Sequence, residues 1–250
     1  MSAHGVVHGP IGENAVHLCV DMQRLFGPGQ LWAMPWLERV VPTIETICAH
    51  RPERTVFTRF IPAARPGEGR GSWARYYRRW ASATIEEVGP DALRLVPALE
   101  RFVPPAAVVD KHVYSPWLER SLDETLAGGG VDTLVITGGE TDVCVLATAL
   151  GAIDRGFRVI LVANALCSSS DETHDALMKL YLDRFTEQVE VAGAEEVIAM
   201  CARDEVARPR PRPLQPPAAG PCTETAGPRE HAGRRTVCLG KSSCQQETDP

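Results

Sequence analysis

The sequence predicts an α/β fold in which helices cover a parallel sheet. Short apolar runs rich in Val, Ile and Leu alternate with amphipathic stretches from about residue 16 to residue 203, as in proteins whose strands are buried on both faces. The amphipathic stretches space their apolar residues three and four apart, which indicates helices. The chain has 44% hydrophobic and 23% charged residues, a balance typical of a globular protein with a sizeable core.

Six apolar runs are predicted strands. They are residues 17–22 (HLCVDM), 54–60 (RTVFTRF), 106–114 (AAVVDKHVY), 133–139 (TLVITGG), 157–164 (FRVILVAN) and 188–193 (QVEVAG). Predicted helices lie within residues 35–50, 115–130, 141–156, 170–185 and 193–205. The connection of residues 61–105 differs in kind, because glycines and prolines are followed by a cluster of Trp and Tyr.

Residues 207–250 are predicted to form a disordered tail, since this Pro-, Gly- and Arg-rich segment has too few large apolar residues to offset its chain entropy. Its PRPRPLQPP stretch fits either a polyproline ligand or, more commonly, a solvated linker. Three tail cysteines flank or follow His231 at spacings that match no zinc module, so no metal is expected there. They are Cys222, Cys238 and Cys244.

Charge and composition argue against several classes of protein. The formal net charge is -6 with both signs interspersed, which does not suit a nucleic-acid partner. No apolar stretch approaches the roughly 20 residues needed to span a bilayer, and the first residues do not resemble a signal peptide. No GxGxxG opens a helix, which argues against a dinucleotide site. We expect a cytoplasmic protein with no membrane partner.

Three reactive side chains follow or end predicted strands. Asp21 follows HLCV, Lys111 follows AAVVD, and Cys144 lies just past TLVITGG. Each residue alone has an ordinary structural explanation. In an open parallel sheet, however, sites form beyond the carboxyl ends of the strands. Together the three residues supply a nucleophile, a base and a cation.

This combination suits hydrolysis through a thiol. A helix amino end and a nearby ammonium both favour the thiolate of Cys144. Asp21 can take the thiol proton and return it to a leaving amine, while Lys111 holds Asp21 in place. The glycines before Glu140 permit a sharp turn that exposes backbone amides beside the sulfur, where an oxyanion would develop.

The segments VDMQRLF, VVDKHVYSPW and ITGGETDVCV, in this order, resemble the three signature segments of the isochorismatase-like cysteine hydrolases. This superfamily includes nicotinamidases, N-carbamoylsarcosine amidohydrolase, and ureido-acid and biuret hydrolases. The similarity covers residues 15–203, which we take as one hydrolase domain. It implies a three-layer, Rossmann-like fold, with helices on both faces of a six-stranded parallel sheet of order 3-2-1-4-5-6.

The resemblance also implies site residues. Asp21, Lys111 and Cys144 match the catalytic triad, and a cis peptide bond is implied between Gly139 and Glu140. That bond would turn the backbone amides of Glu140 and Cys144 toward the oxyanion. Family members are commonly dimers or tetramers, so a homo-oligomer is implied.

The implied activity is cofactor-independent hydrolysis of a C–N bond in a small amide, ureide or carbamoyl compound through an acyl-enzyme. Nicotinamidases carry an Asp and several His after the second strand for a metal, and TRFIPAARPGEGRGSW has neither, so no metal is expected. One alternative is vinyl-ether hydrolysis of the isochorismatase type, although those members often lack the cysteine. Another is a non-catalytic interaction module.

Substrate-binding residues are sought near the triad and in the variable connection. Phe26 and Trp117 are close in sequence to Asp21 and Lys111. Arg59 is a candidate partner for a substrate carboxylate, as are Arg65, Arg70 and Arg75. The aromatic residues at helical spacing line the pocket, pack internally or form a subunit contact. They are Trp73, Tyr76, Tyr77 and Trp80.

Overall fold

The computed structural model describes residues 5–201 and residue 214. The chain divides into a compact unit of residues 1–218 and a second unit of residues 219–250, and all described residues belong to the first. Leu214 is half-buried against the core. The rest of the predicted tail, with its three cysteines and His231, lies outside the described residues. None of the described helices is long and apolar enough to cross a membrane.

Six parallel strands form a sheet in the order β3-β2-β1-β4-β5-β6, which confirms the predicted fold. They are β1 (Ala15–Val20), β2 (Thr55–Phe60), β3 (Ala107–Lys111), β4 (Thr133–Gly139), β5 (Arg158–Cys167) and β6 (Val189–Ala192). The strand order reverses between β1 and β4. A crevice therefore opens at the carboxyl ends of these two strands, where ligands bind in folds of this type.

Helices cover both faces of the sheet. They are α1 (Leu37–His50), α2 (Ser72–Arg79), α3 (Ile85–Ala92), α4 (Pro97–Glu100), α5 (Arg120–Ala127), α6 (Leu146–Asp154), α7 (Asp171–Arg184) and α8 (Ala194–Cys201). Apolar residues of α1 and α8 pack with Ala15 and Cys19 of β1, whereas α5, α6 and α7 pack with Val16 and Leu18. The split follows from the alternation of side chains along a strand.

β1 spans residues 15–20 instead of 17–22, and two further strands end three residues away from their predicted ends. β3 ends at Lys111 instead of residue 114, and the Val113 carbonyl accepts a hydrogen bond from the Lys111 side chain. β5 continues to Cys167 instead of residue 164. Its register with β4 shifts between Ile136 and Gly138, and such an irregularity lets a strand continue past a local bend.

A histidine is buried in the middle of the sheet. Nε2 of His17 lies 2.8 Å from the Thr137 hydroxyl, and Nδ1 lies 3.4 Å from the Thr55 hydroxyl. Burial lowers the pKa of His17 to about 3. The imidazole is therefore neutral in the folded protein at ordinary pH.

Because His17 is buried in its neutral form, the fold should lose stability at low pH. The unfolded chain binds a proton near the usual histidine pKa of 6.5, while the folded chain resists it down to about 3. The stabilisation is complete above this window and is lost as the pH falls through it, at about 1.4 kcal/mol per pH unit. Urea unfolding at several pH values measures the slope. His17→Gln should lower the pH dependence of the unfolding free energy by about 1.4 kcal/mol per pH unit, because the unfolded chain then binds about one proton fewer. An unchanged slope would contradict the assignment.

Candidate active site

Three polar groups meet at the carboxyl edge of the sheet. Nζ of Lys111 lies 2.7 Å from Oδ2 of Asp21. It also donates to Sγ of Cys144 at 3.3 Å and to the Val113 carbonyl oxygen at 3.1 Å. Two of the three donors of the lysine ammonium therefore have hydrogen-bond acceptors, and its charge pairs with the Asp21 carboxylate. Lys111 is thereby held between the carboxylate and the sulfur.

The three groups are shielded from water. Asp21 and Lys111 are fully buried, and Cys144 is 6% exposed. Burial lowers the pKa of Lys111, but the Asp21 carboxylate, together with the interaction with the Cys144 sulfur, outweighs this effect and leaves the pKa above its usual value. Burial together with the Asp21 charge raises the pKa of Cys144 well above the usual range, despite the opposing effect of Lys111.

These directions correct one expectation from the sequence. The ammonium and the helix end were expected to favour the thiolate, yet burial and Asp21 favour the neutral thiol. An Asp21–Lys111 ion pair beside a neutral Cys144 thiol carries no net charge. This is the arrangement that a buried site tolerates best.

Asp21 is fixed from two sides. Its φ of 50° lies in the left-handed region, which aspartate tolerates better than most residues. The Thr58 hydroxyl donates to Oδ1 of Asp21 at 2.6 Å, and the Asp21 amide donates to the Thr58 carbonyl at 3.2 Å. Lys111 forms its ion pair with the other carboxylate oxygen, Oδ2. Thr58 was not identified from the sequence, although it lies on β2, which pairs with β1.

The two glycines that end β4 lie in close contact with neighbouring residues. Gly138 has a φ of 101°, and a Cβ there would overlap the Val20 carbonyl oxygen of β1. A Cβ at Gly139 would overlap the Met34 sulfur. The sequence predicted a turn here, and the structure adds that β4 must lie tight against its neighbours. The peptide bond between Gly139 and Glu140 is cis.

Cys144 lies in a π-helical turn, Thr141–Val145, that leads into α6. The Glu140 carbonyl accepts from the Val145 amide at 2.9 Å, which sets the wide turn. The Cys144 amide is at the amino end of the helical segment, where the helix dipole favours negative charge. Turns of this kind are frequent at functional sites.

His174 supports this turn from α7. Its Nδ1 lies 2.9 Å from the Thr141 hydroxyl, which itself donates to the Cys167 carbonyl at 3.1 Å. Because the hydroxyl has one hydrogen, His174 Nδ1 must be the donor in the first contact. These contacts give His174 a structural role.

The structure does not place Arg59 in the site, which corrects the prediction that it binds substrate. Arg59 pairs with Asp110 through two hydrogen bonds of 2.7 and 2.8 Å. These residues are register partners on β2 and β3, as are Phe60 and Lys111. Successive residues of a strand point to opposite faces, so Arg59 points away from the face of Lys111.

Trp117 also requires correction. It is buried, and its indole nitrogen donates to the Thr148 carbonyl of α6 at 2.8 Å. Its ring stacks on Phe157 at 5.7 Å and lies so close to Gly151 that a Cβ there would overlap it. Trp117 therefore anchors α6 to the core and has no free face for a substrate.

Phe26 belongs to an aromatic group beside the site. Its ring stacks on Trp32 at 6.4 Å, and Trp32 lies 6.1 Å from Phe60. Phe60 in turn lies 5.1 Å from Nζ of Lys111. Phe26 is 5% exposed, so its contact with a substrate stays a prediction.

The aromatic residues of the long connection pack around Tyr114, which the sequence did not single out. The ring of Trp73 lies 4.8 Å from Tyr114 and 5.3 Å from Tyr76. The Tyr114 side chain interacts electrostatically with Cys144, Glu140 and Lys111. Part of this aromatic group therefore borders the site. Within residues 5–201, no three His, Cys, Asp or Glu side chains group in a way that could hold a metal.

A family model for the isochorismatase domain matches residues 15–193. The chain belongs to the isochorismatase family. This finding confirms the resemblance, and the chain is an isochorismatase-family hydrolase. The matched range covers β1 to β6 and the three residues of the site.

Individual family members resemble the chain over most of their length. Nicotinamidase 3 of Arabidopsis thaliana is 27% identical over 170 residues, which are 68% of this chain and 81% of that protein. A cysteine hydrolase from Pseudomonas syringae pv. phaseolicola has the same fold, with a TM-score of 0.68 and 22% identity over 81% of this chain and 99% of its own. N-carbamoylsarcosine amidase from Thermoplasma acidophilum matches with a TM-score of 0.57 and 25% identity over 72% and 96% of the two chains.

Proposed function

We propose that this family member cleaves the C–N bond of a small amide, ureide or carbamoyl compound through an acyl-enzyme on Cys144. The observation that carries the proposal is the position of Lys111, which bridges the Asp21 carboxylate and the Cys144 sulfur inside a buried site. Similarity to a nicotinamidase and to a carbamoylsarcosine amidase supports the class of bond.

In the first step the Cys144 sulfur attacks the substrate carbonyl carbon and Asp21 takes the thiol proton. Base assistance matters here because the pKa of Cys144 is raised, mainly by burial. Lys111 remains cationic and stabilises the negative charge that builds on the sulfur. Thr58 and Lys111 keep the Asp21 carboxylate oriented toward the thiol.

The attack turns the carbonyl oxygen into an oxyanion. We assign the backbone amides of Glu140 and Cys144 as its donors, aided by the dipole of the helical segment that begins at Thr141. Asp21 then returns its proton to the leaving nitrogen, and the C–N bond breaks. Ammonia or a small amine departs, and the acyl group stays on the sulfur as a thioester.

Water completes the cycle. Asp21, again a carboxylate, takes a proton from water as the oxygen attacks the thioester carbon. The C–S bond breaks, Asp21 returns the proton to the sulfur, and the carboxylic or carbamic acid leaves. Asp21 carries each proton that moves, so the proposed cycle needs no cofactor.

The proposal is tested with a panel of small amides, ureides and carbamoyl compounds, with released ammonia or amine as the readout. We expect at least one compound to be turned over. Cys201→Ala is the matched control, because this buried cysteine of α8 lies near the amino end of β1. It should retain the activity. A chain that releases nitrogen from no compound would fit the non-catalytic interaction module and would overturn the proposal.

A further inference from the structure

The ammonium of Lys111 has a neighbour that the proposed cycle does not use, the ring of Phe60. Nζ lies over this ring, 5.1 Å from its centroid. The face of an aromatic ring attracts a cation within about 6 Å of its centroid, and does so more strongly where water is excluded. Phe60 is 4% exposed and Lys111 is fully buried. The contact therefore lies in the environment where it is strongest.

The side chain of Gln23 fixes the backbone of Phe60. Its Oε1 accepts from the Phe60 amide at 2.7 Å, and its Nε2 donates to the Phe60 carbonyl oxygen at 3.0 Å. β1 ends just before Asp21, where the backbone turns with a left-handed φ. The buried Gln23 amide thus serves Phe60 as a peptide group of a neighbouring strand would.

The rest of this contact is held as well. Nε2 of Gln23 also donates to the Leu93 carbonyl oxygen at 2.9 Å, which ties the glutamine to the end of α3. The centroid of the Phe60 ring lies 6.1 Å from that of Trp32 and 6.4 Å from that of Trp73. Both the backbone and the ring of Phe60 are therefore packed in place beside the ammonium.

The ammonium of Lys111 depends on one charged partner. Asp21 pairs with it at 2.7 Å. The other titratable groups that interact with Lys111 are Cys144, Tyr77 and Tyr114. Burial raises the pKa of all three, so they are neutral at ordinary pH.

This partner loses its charge during the proposed cycle. Once Asp21 holds the thiol proton and the sulfur is bonded to carbon, neither group is negative. A buried cation without a partner is costly. Two contacts of Lys111 stay as they are through this step, the Val113 carbonyl at 3.1 Å and the Phe60 ring.

We propose that Phe60 is a positioning residue of this site, whose ring holds the Lys111 ammonium in place while Asp21 carries the proton. Gln23 supports it by fixing the Phe60 backbone. The inference rests on the proposed function, since it concerns the same site and the same cycle.

The contact is tested by NMR on the full chain, without turnover. The sequence has three lysines, Lys111, Lys179 and Lys241, so labelled lysine gives three sets of side-chain signals. Lys179→Arg and Lys241→Arg assign the two others. A ring shifts upfield the protons that lie over its face. Phe60→Leu should move the ammonium and adjacent methylene signals of Lys111 downfield, and Phe60→Tyr should leave them upfield. Signals of Lys111 that stay in place in Phe60→Leu would overturn the inference.

A titration measures how strongly the ring holds the charge. Asp21→Asn stands in for the step in which Asp21 is neutral, and burial then lowers the pKa of Lys111. Adding Phe60→Leu should lower this pKa by about one further pH unit. Phe57→Leu is the matched control, a buried phenylalanine of the same strand whose register partner is Val108. Equal pKa values of Lys111 in the two variants would overturn the inference.

Kinetics connect the contact to the reaction. With Asp21 intact, Phe60→Leu should lower kcat by about tenfold and move the high-pH limb of its profile to lower pH, and Phe60→Tyr should restore both. Nitrogen release with an unchanged kcat and profile in Phe60→Leu would overturn the inference and keep the hydrolase. No nitrogen release, with the ring shift present, would overturn the hydrolase and keep the contact of Phe60 with Lys111.

Discussion

Replacement of Cys144 by alanine is expected to lower kcat for the best amide of the panel by about a thousandfold or more. In the proposed mechanism the Cys144 sulfur bonds to the carbonyl carbon, and no other described cysteine shares its contact with Lys111. The change removes one buried sulfur atom and should leave the fold intact. Ammonia release measures the loss, and thermal unfolding checks the fold.

Two results would contradict this expectation in different ways. Turnover of the amide within about tenfold of the unmodified enzyme would show that the thiol is not the nucleophile. Cleavage of isochorismate that survives the substitution would favour the vinyl-ether alternative, since that reaction does not need a thiol. Cys201→Ala controls for the loss of a buried cysteine as such.

Replacement of Asp21 by asparagine is expected to lower kcat by about 10³- to 10⁴-fold, because the amide cannot take the thiol proton. It also leaves Lys111 buried without its carboxylate. Loss of that charge lets burial dominate and lowers the pKa of Lys111. A broken buried ion pair costs about 3–5 kcal/mol of unfolding free energy.

A double variant separates these two effects. Asp21→Asn with Lys111→Met removes both charges, so the unfolding free energy should recover much of the loss. Activity should stay as low as in the single variant, because no base is restored. Recovery of turnover in the double variant, or near-normal turnover in Asp21→Asn, would contradict the role of Asp21.

Local sequence patterns were enough to predict that the three proposed catalytic residues lie together. Parallel strands end at one edge of a sheet, so Asp21 after β1 and Cys144 after β4 had to meet where the strand order reverses. Lys111 ends β3, two strands away from β1. Its long side chain crosses the end of β2 beside Phe60. The sequence showed where these residues end their strands, and the order of the strands came from the family resemblance.

The substrate-binding predictions fared worse, for identifiable reasons. Arg59 lies between Thr58 and Phe60 on a strand, so alternation alone places it on the other face from the residues that contact the site. That signal was present in the sequence. The direction of Trp117 was not, because it depends on a short 3₁₀ turn, Pro116–Leu118, and on a contact with α6.

The protonation of the thiol could not be predicted from neighbours in the sequence. A helix end and a lysine both favour the thiolate, and these are local features. Burial and the approach of Asp21 act in the opposite direction and prevail. Both depend on how the strands assemble, as does the left-handed φ of Asp21.

The acyl-enzyme is tested most directly by rapid acid quench of the working enzyme, followed by mass spectrometry of the intact protein and of its peptides. With an amide that is turned over, the acyl-enzyme mechanism predicts a transient mass increase equal to the substrate minus its amine. The adduct should lie on the peptide that contains Cys144 and be released by hydroxylamine, as a thioester is. Steady turnover with no adduct, or with the adduct on another residue, would contradict it.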